Sequence, residues 1–119
     1  MSTAISSVAA RAFVQGKRFT KSNTNVRRNI DGSVEMRLWD NLIARHTVTD
    51  GTQVTMAGWG TATTRARLNA IMNELGMRGG FWQHKGDQLY GTHNSVVSGD
   101  ACSVCNRIIS TTEWVQIAR

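Results

Sequence analysis

Two cysteines three positions apart, Cys102 and Cys105, are the sharpest chemical feature of the chain, because a C-x-x-C spacing lets two thiolates face one tetrahedral zinc ion. His84 and His93 precede them at intervals of eight intervening residues, so a ligand set of His84, His93, Cys102 and Cys105 is arithmetically available. A structural zinc there would hold the Gly-, Ser- and Asn-rich stretch over residues 91–105, which otherwise has little to bury. A redox dithiol needs a helix N-terminus or a cation to lower one thiol pKa; Arg107 is near in sequence, but no thioredoxin-type βαβ pattern surrounds it. The third reading is a pair of reduced cysteines packed in a loop, the ordinary state in a reducing compartment. Zinc is the one cofactor for which the sequence leaves room.

Enzymatic constellations are scarce. No G-x-S-x-G, H-E-x-x-H or G-x-x-x-x-G-K-[ST] occurs. Asp31, Asp40 and Asp50 all sit at turn positions, where an Asx side chain bonds its own backbone, and His46 would meet Asp50 only after folding. A non-enzymatic protein is expected, and binding is the better-supported class.

The charge points the same way. The formal net charge is +6 and the sequence pI about 10.4. Up to Arg28 there are six cations, Arg11, Lys17, Arg18, Lys21, Arg27 and Arg28, and no acid; from Asp31 onward eight cations are matched by eight acids. The whole excess lies in the N-terminal quarter, where a basic arm would meet phosphate and release counterions. The competing reading is a solvated, self-repelling edge segment. Arg65 and Arg67 fall off the apolar stripe of the helix described below and are expected to be exposed near its positively polarised start. The four tryptophans, Trp39, Trp59, Trp82 and Trp114, could supply stacking platforms for single-stranded bases, although most are expected in the core of so small a protein. Trp39, on the face of its strand opposite Val34, Met36 and Leu38, is the expected exposed aromatic and contact residue.

These residues need elements to hold them. With 119 residues, 40% hydrophobic and 18% charged at a mean hydropathy of -0.29, the chain fits one domain with one modest core. No apolar run approaches the ~18 residues that cross a bilayer, and the opening MSTAISSVAARAF makes a poor secretory signal. Residues 1–10 read as a tail and 11–119 as a single α+β domain in which 91–110 is rich in loops. Phe13 and Phe19 around Gly16 suggest a short hairpin or edge strand. Residues 24–57 read as an antiparallel meander with turns at Asp31-Gly32, Asp40-Asn41 and Asp50-Gly51. Leu68, Ile71, Met72 and Leu75 then recur at helical spacing, predicting one amphipathic helix over about 63–75, packed on the sheet, capped by Thr61 or Thr63 and ended by Gly76. A hairpin over 81–90, turning at Lys85-Gly86-Asp87, and a short last strand near Trp114 to Ile117 complete the pattern.

The run Trp59-Gly60-Thr61-Ala62-Thr63-Thr64-Arg65-Ala66-Arg67-Leu68-Asn69-Ala70-Ile71 has Asn41-Leu42-Ile43-Ala44 before it and Gln83-His84-Lys85-Gly86-Asp87 after it. Over roughly residues 11–90 it resembles a group of small proteins of tailed bacteriophages without an assigned function. The resemblance implies a phage genome and a small accessory role, and with neither a membrane span nor a good secretory signal the expected location is the host cytoplasm. Three functions then follow in order: binding nucleic acid through the N-terminal cations, Arg65, Arg67 and Trp39; inhibiting a host enzyme by protein contact in host takeover or anti-defence; or serving in the virion or its assembly. The expected partner is a nucleic acid or a host protein, or further copies of the chain in a homo-oligomer, and no membrane.

Overall fold

The computed structural model describes residues 3–77, 79–91 and 107–118. Helix α1 spans Thr3–Gln15. It is followed by β1 (Phe19–Lys21), β2 (Thr24–Arg28), β3 (Val34–Leu38), β4 (Asn41–Thr47) and β5 (Gly51–Val54). Helix α2 is Ala62–Glu74, and then come β6 (Gly80–His84), β7 (Asp87–Gly91), β8 (Arg107–Ile109) and β9 (Val115–Ala118). The α+β class, the meander, the second helix, the hairpin and the last strand all stand where the sequence places them.

Strands β1 to β5 pair in chain order, antiparallel throughout, and β9 adds to β5 to make a six-stranded sheet. Strands β6, β7 and β8 form a second sheet, in which the Phe81 and Tyr90 rings pack 4.8 Å apart. Alternation sets the faces: Val34, Met36 and Leu38 are buried while Glu35 and Arg37 are partly open. Val26, Ile43, Ala44, Val54 and Met56 join the covered face, against which α1 and α2 pack with Ala9, Ala10, Phe13, Leu68, Ile71 and Met72. The uncovered face carries a register row of Arg27, Glu35, Arg45, Gln53 and Gln116.

Helix α1 differs from expectation. Residues 3–10, expected within a tail, and Phe13, expected in a hairpin or edge strand, form one helix. Its inner stripe is Ser6, Ala9, Ala10 and Phe13, at steps of three and four, and all four are buried. Small side chains make that stripe nearly silent in a hydrophobicity pattern, yet they let α1 lie close against α2. Gly16, at φ 70°, ends the helix: its N–H and that of Lys17 bond back to Phe13 and Ala12 carbonyls at 3.2 and 2.8 Å.

Helix α2 follows its signals closely. Thr61 caps it, its Oγ1 accepting the Thr64 N–H at 3.2 Å, and Gly76 at φ 73° closes it with the same pair of backward bonds. Asn69 then ties the helix to the second sheet, accepting the Phe81 N–H at 2.6 Å and donating to the Phe81 carbonyl at 2.9 Å.

Candidate functional site

Arg11, Lys17, Arg18, Lys21, Arg27 and Arg28 are all exposed. Arg11 stands 3.8 Å from Glu74 across the α1–α2 contact; the other five make no ion pair among the described residues. Lys17 and Arg18 occupy the link from α1 to β1, Lys21 ends β1, and Arg27 and Arg28 end β2. The excess charge therefore lies at one edge of the larger sheet and reaches its open face through Arg27.

That face holds two cations which bulk counting had cancelled. Arg45 is the register neighbour of Glu35, itself opposite Arg27, and its guanidinium sits 4.5 Å from the centre of the Trp114 ring. Arg37 lies on the same face and donates to Glu35 at 3.4 Å. Alternation along each strand is the signal that places all three together: each follows a buried residue, Val26, Met36 or Ala44.

The two helix arginines part company. Arg65 is half-buried, its Nη1 donating to the Gly60 carbonyl at 3.0 Å and to Gln88 Oε1 at 2.9 Å, which clamps the start of α2 to β7. Arg67, expected to be exposed, is 2% accessible. It donates to Ser6 Oγ at 2.5 Å, Thr24 Oγ1 at 2.9 Å and Asn23 Oδ1 at 3.2 Å, so it joins α1, β2 and the β1–β2 turn and is removed from the binding set. The buried positions of α2 are Thr64, Arg67, Leu68, Ile71 and Met72, a helical stripe in which Arg67 falls three after Thr64 and four before Ile71. Burial lowers its pKa from the ordinary arginine value.

None of the four tryptophans is buried; Trp82 is half-buried and the other three are exposed. Trp39 is 70% exposed, as expected, but for a different reason. The turn is one residue earlier than Asp40-Asn41: Leu38 pairs with Asn41, and Trp39 and Asp40, at φ 52° and 66°, form a two-residue hairpin loop. Trp59, one of the tryptophans expected mostly in the core, is 58% exposed behind Ala57 and Gly58, which are also at positive φ. Both rings line one cleft of about 500 Å³, floored by the buried Leu38, Ile43, Met56 and Thr64 and edged by Asn41, Thr61 and Thr63.

His46 does not meet Asp50; its Nδ1 is 2.8 Å from Thr52 Oγ1. Asp31 makes the expected Asx turn, accepting the Ser33 hydroxyl at 2.7 Å and N–H at 2.9 Å, and these bonds lower its pKa. Of the zinc set, His84 is exposed at the end of β6, while His93, Cys102 and Cys105 lie outside the described residues. Among the described residues no three His, Cys, Asp or Glu side chains cluster as metal ligands, and no helix is long and apolar enough to cross a membrane.

A family model described as Kyanoviridae Gp96 protein matches residues 2–115, a longer stretch than the resemblance over 11–90. No curated protein and no solved structure matches the chain.

Proposed function

Because the chain belongs to the Kyanoviridae Gp96 family, a family of phage proteins, we propose that it is a non-enzymatic accessory protein that binds nucleic acid through its N-terminal cations. One observation carries this reading: all six cations of residues 11–28 are exposed, and among the described residues only Arg11 has a carboxylate partner, at 3.8 Å. Had they been spent on internal pairs, the charge excess would have no outward effect. Left in water at one sheet edge, with Arg27 leading onto a face that also bears Arg37 and Arg45, they form a strip that attracts phosphate.

Mobility-shift titration of the full chain against single-stranded and duplex DNA and RNA, at rising salt, tests it. Affinity is expected to fall linearly on a log–log plot. Lys17→Gln combined with Arg18→Gln should flatten the slope by roughly 1.5, since each lost phosphate contact removes about 0.7–0.9. Absence of binding at low salt, or an affinity indifferent to salt, would overturn the reading. A host-protein partner that persists on the purified chain after nuclease treatment would favour inhibition by protein contact in its place.

A further inference from the structure

We propose that the cleft between Trp39 and Trp59 is a stacking site for unpaired nucleobases of a single strand whose phosphates lie on the neighbouring cations. The inference rests on the nucleic-acid reading above and adds to it the form of the ligand.

The cleft combines two properties that folding alone does not favour. Its two tryptophans stand in water, 70% and 58% exposed, although the core has large positions occupied by Met36, Met56 and Met72. Both are also held there by costly backbone. Trp39 itself adopts φ 52°, a region that bulky residues avoid, and Trp59 follows Ala57 at φ 54° and Gly58 at φ 86°. A hairpin loop with both residues at positive φ is most easily made by Asn-Gly; here the first position presents an indole instead. Beneath the rings the floor is mostly apolar, Leu38, Ile43 and Met56 beside Thr64, while Thr61, Thr63 and Asn41 at the rim offer hydrogen-bonding groups. Apolar faces with polar edges are what a nucleobase presents, and indole rings stack on any base.

The placement relative to charge favours a strand over an isolated ring. Lys21, Thr24, Leu38 and Asn41 form one register row across β1 to β4, so the cationic end of β1 and the cleft floor at Leu38 are two strand spacings apart, roughly 10 Å. A polar hollow of about 310 Å³ lined by Thr20, Ser22, Asn23, Thr24, Asn25 and Asp40 adjoins this row, and it shares Trp39 with the cleft. The Trp39 N–H donates to the Asn23 carbonyl at 2.8 Å, which binds the two turns together. Lys21, a hydroxyl- and amide-lined hollow and an aromatic cleft thus adjoin one another at this end of the larger sheet, within reach of the phosphate, sugar and base of one strand.

Fluorescence anisotropy of labelled 12-mers with the full chain tests this, using oligothymidylate, oligouridylate, an abasic strand of the same length and charge, and a blunt duplex. The base-bearing single strands are expected to bind at least tenfold more tightly than the abasic strand and the duplex, with the DNA and RNA arms showing which sugar is preferred. Trp39→Ala and Trp59→Ala should each weaken oligothymidylate binding about five- to a hundredfold while leaving abasic-strand affinity and the salt slope unchanged. Trp39→Phe should restore most of the loss and Trp39→Leu should not, which separates stacking from simple apolar contact. Equal affinity for abasic and base-bearing strands would overturn the stacking site and leave the cation reading intact; no binding to any strand would overturn both. Native mass spectrometry showing a dimer that Trp59→Ala dissociates would overturn the site in favour of a contact between copies.

Discussion

Arg67 is a cation in the interior whose bonded partners, Ser6, Asn23 and Thr24, are all neutral oxygens. Its value is geometric: a planar fork satisfies three groups on three separate segments at once, which an ammonium on a flexible stem does not reproduce. Arg67→Met is expected to cost about 2–3 kcal/mol, because the oxygens left behind lose a charged donor. In a domain of this size that lowers Tm by roughly 10 °C. Thermal unfolding followed by circular dichroism reads the change; Arg67→Lys should recover only part of it, and wild-type stability in the Met variant would show that the bonds carry no net weight. Asp31 makes a smaller, pH-dependent contribution. Its folded pKa is lowered from 3.8 by bonds from Ser33, so its stabilisation is present above that value and is lost as pH falls through the folded pKa. Denaturation midpoints of Asp31→Asn should therefore converge on those of the wild type as pH drops below the folded pKa of Asp31.

At the scale of elements, the joint between α2 and the second sheet is narrow and specific. Asn69 pairs both backbone groups of Phe81, and Gly80 beside it leaves no room: a Cβ there would lie 2.6 Å from Asn69 Oδ1. Asn69→Ala and Gly80→Ala are each expected to cost about 2 kcal/mol, the first by removing the amide and the second by pushing it aside. Because both break the same pair of bonds, the double variant should fall well short of the sum in urea titrations; full additivity would mean that the two sites act independently. Helix α1 has the opposite character, a broad face of Ser6, Ala9, Ala10 and Phe13 laid on α2 and β2. Phe13→Ala removes its one large buried ring and is expected to cost about 3–4 kcal/mol.

Across the whole molecule, charge is sorted by location more than by amount. The cations of residues 11–28 border the larger sheet, whereas Lys85 stands in the β6–β7 turn of the second. Lys85→Gln is accordingly expected to leave the salt slope of nucleic-acid binding unchanged, and an effect equal to that of Lys17→Gln would show that the field of the whole protein, not the strip, attracts the ligand. The larger elements were open to reading from one dimension, because their causes are local: alternation in Val34–Leu38, paired turn residues such as Asp31-Gly32, and a threonine cap and glycine stop around Ala62–Glu74. Helix α1 was hidden because its buried stripe is mostly alanine and serine, whose burial depends on what packs against them. The same reason governs the binding residues. Exposure of the N-terminal cations followed from their local pattern and that of Trp39 from a turn one residue earlier than the pattern placed it, while the burial of Arg67 needed partners 43, 44 and 61 positions away, and Trp59 became a cleft wall only when the β3–β4 turn was brought opposite it. The sequence by itself determined the α+β order and the place of the charge excess; the tertiary structure decided which arginine is core and which tryptophans share a cleft, since both depend on long-range packing that no local period records.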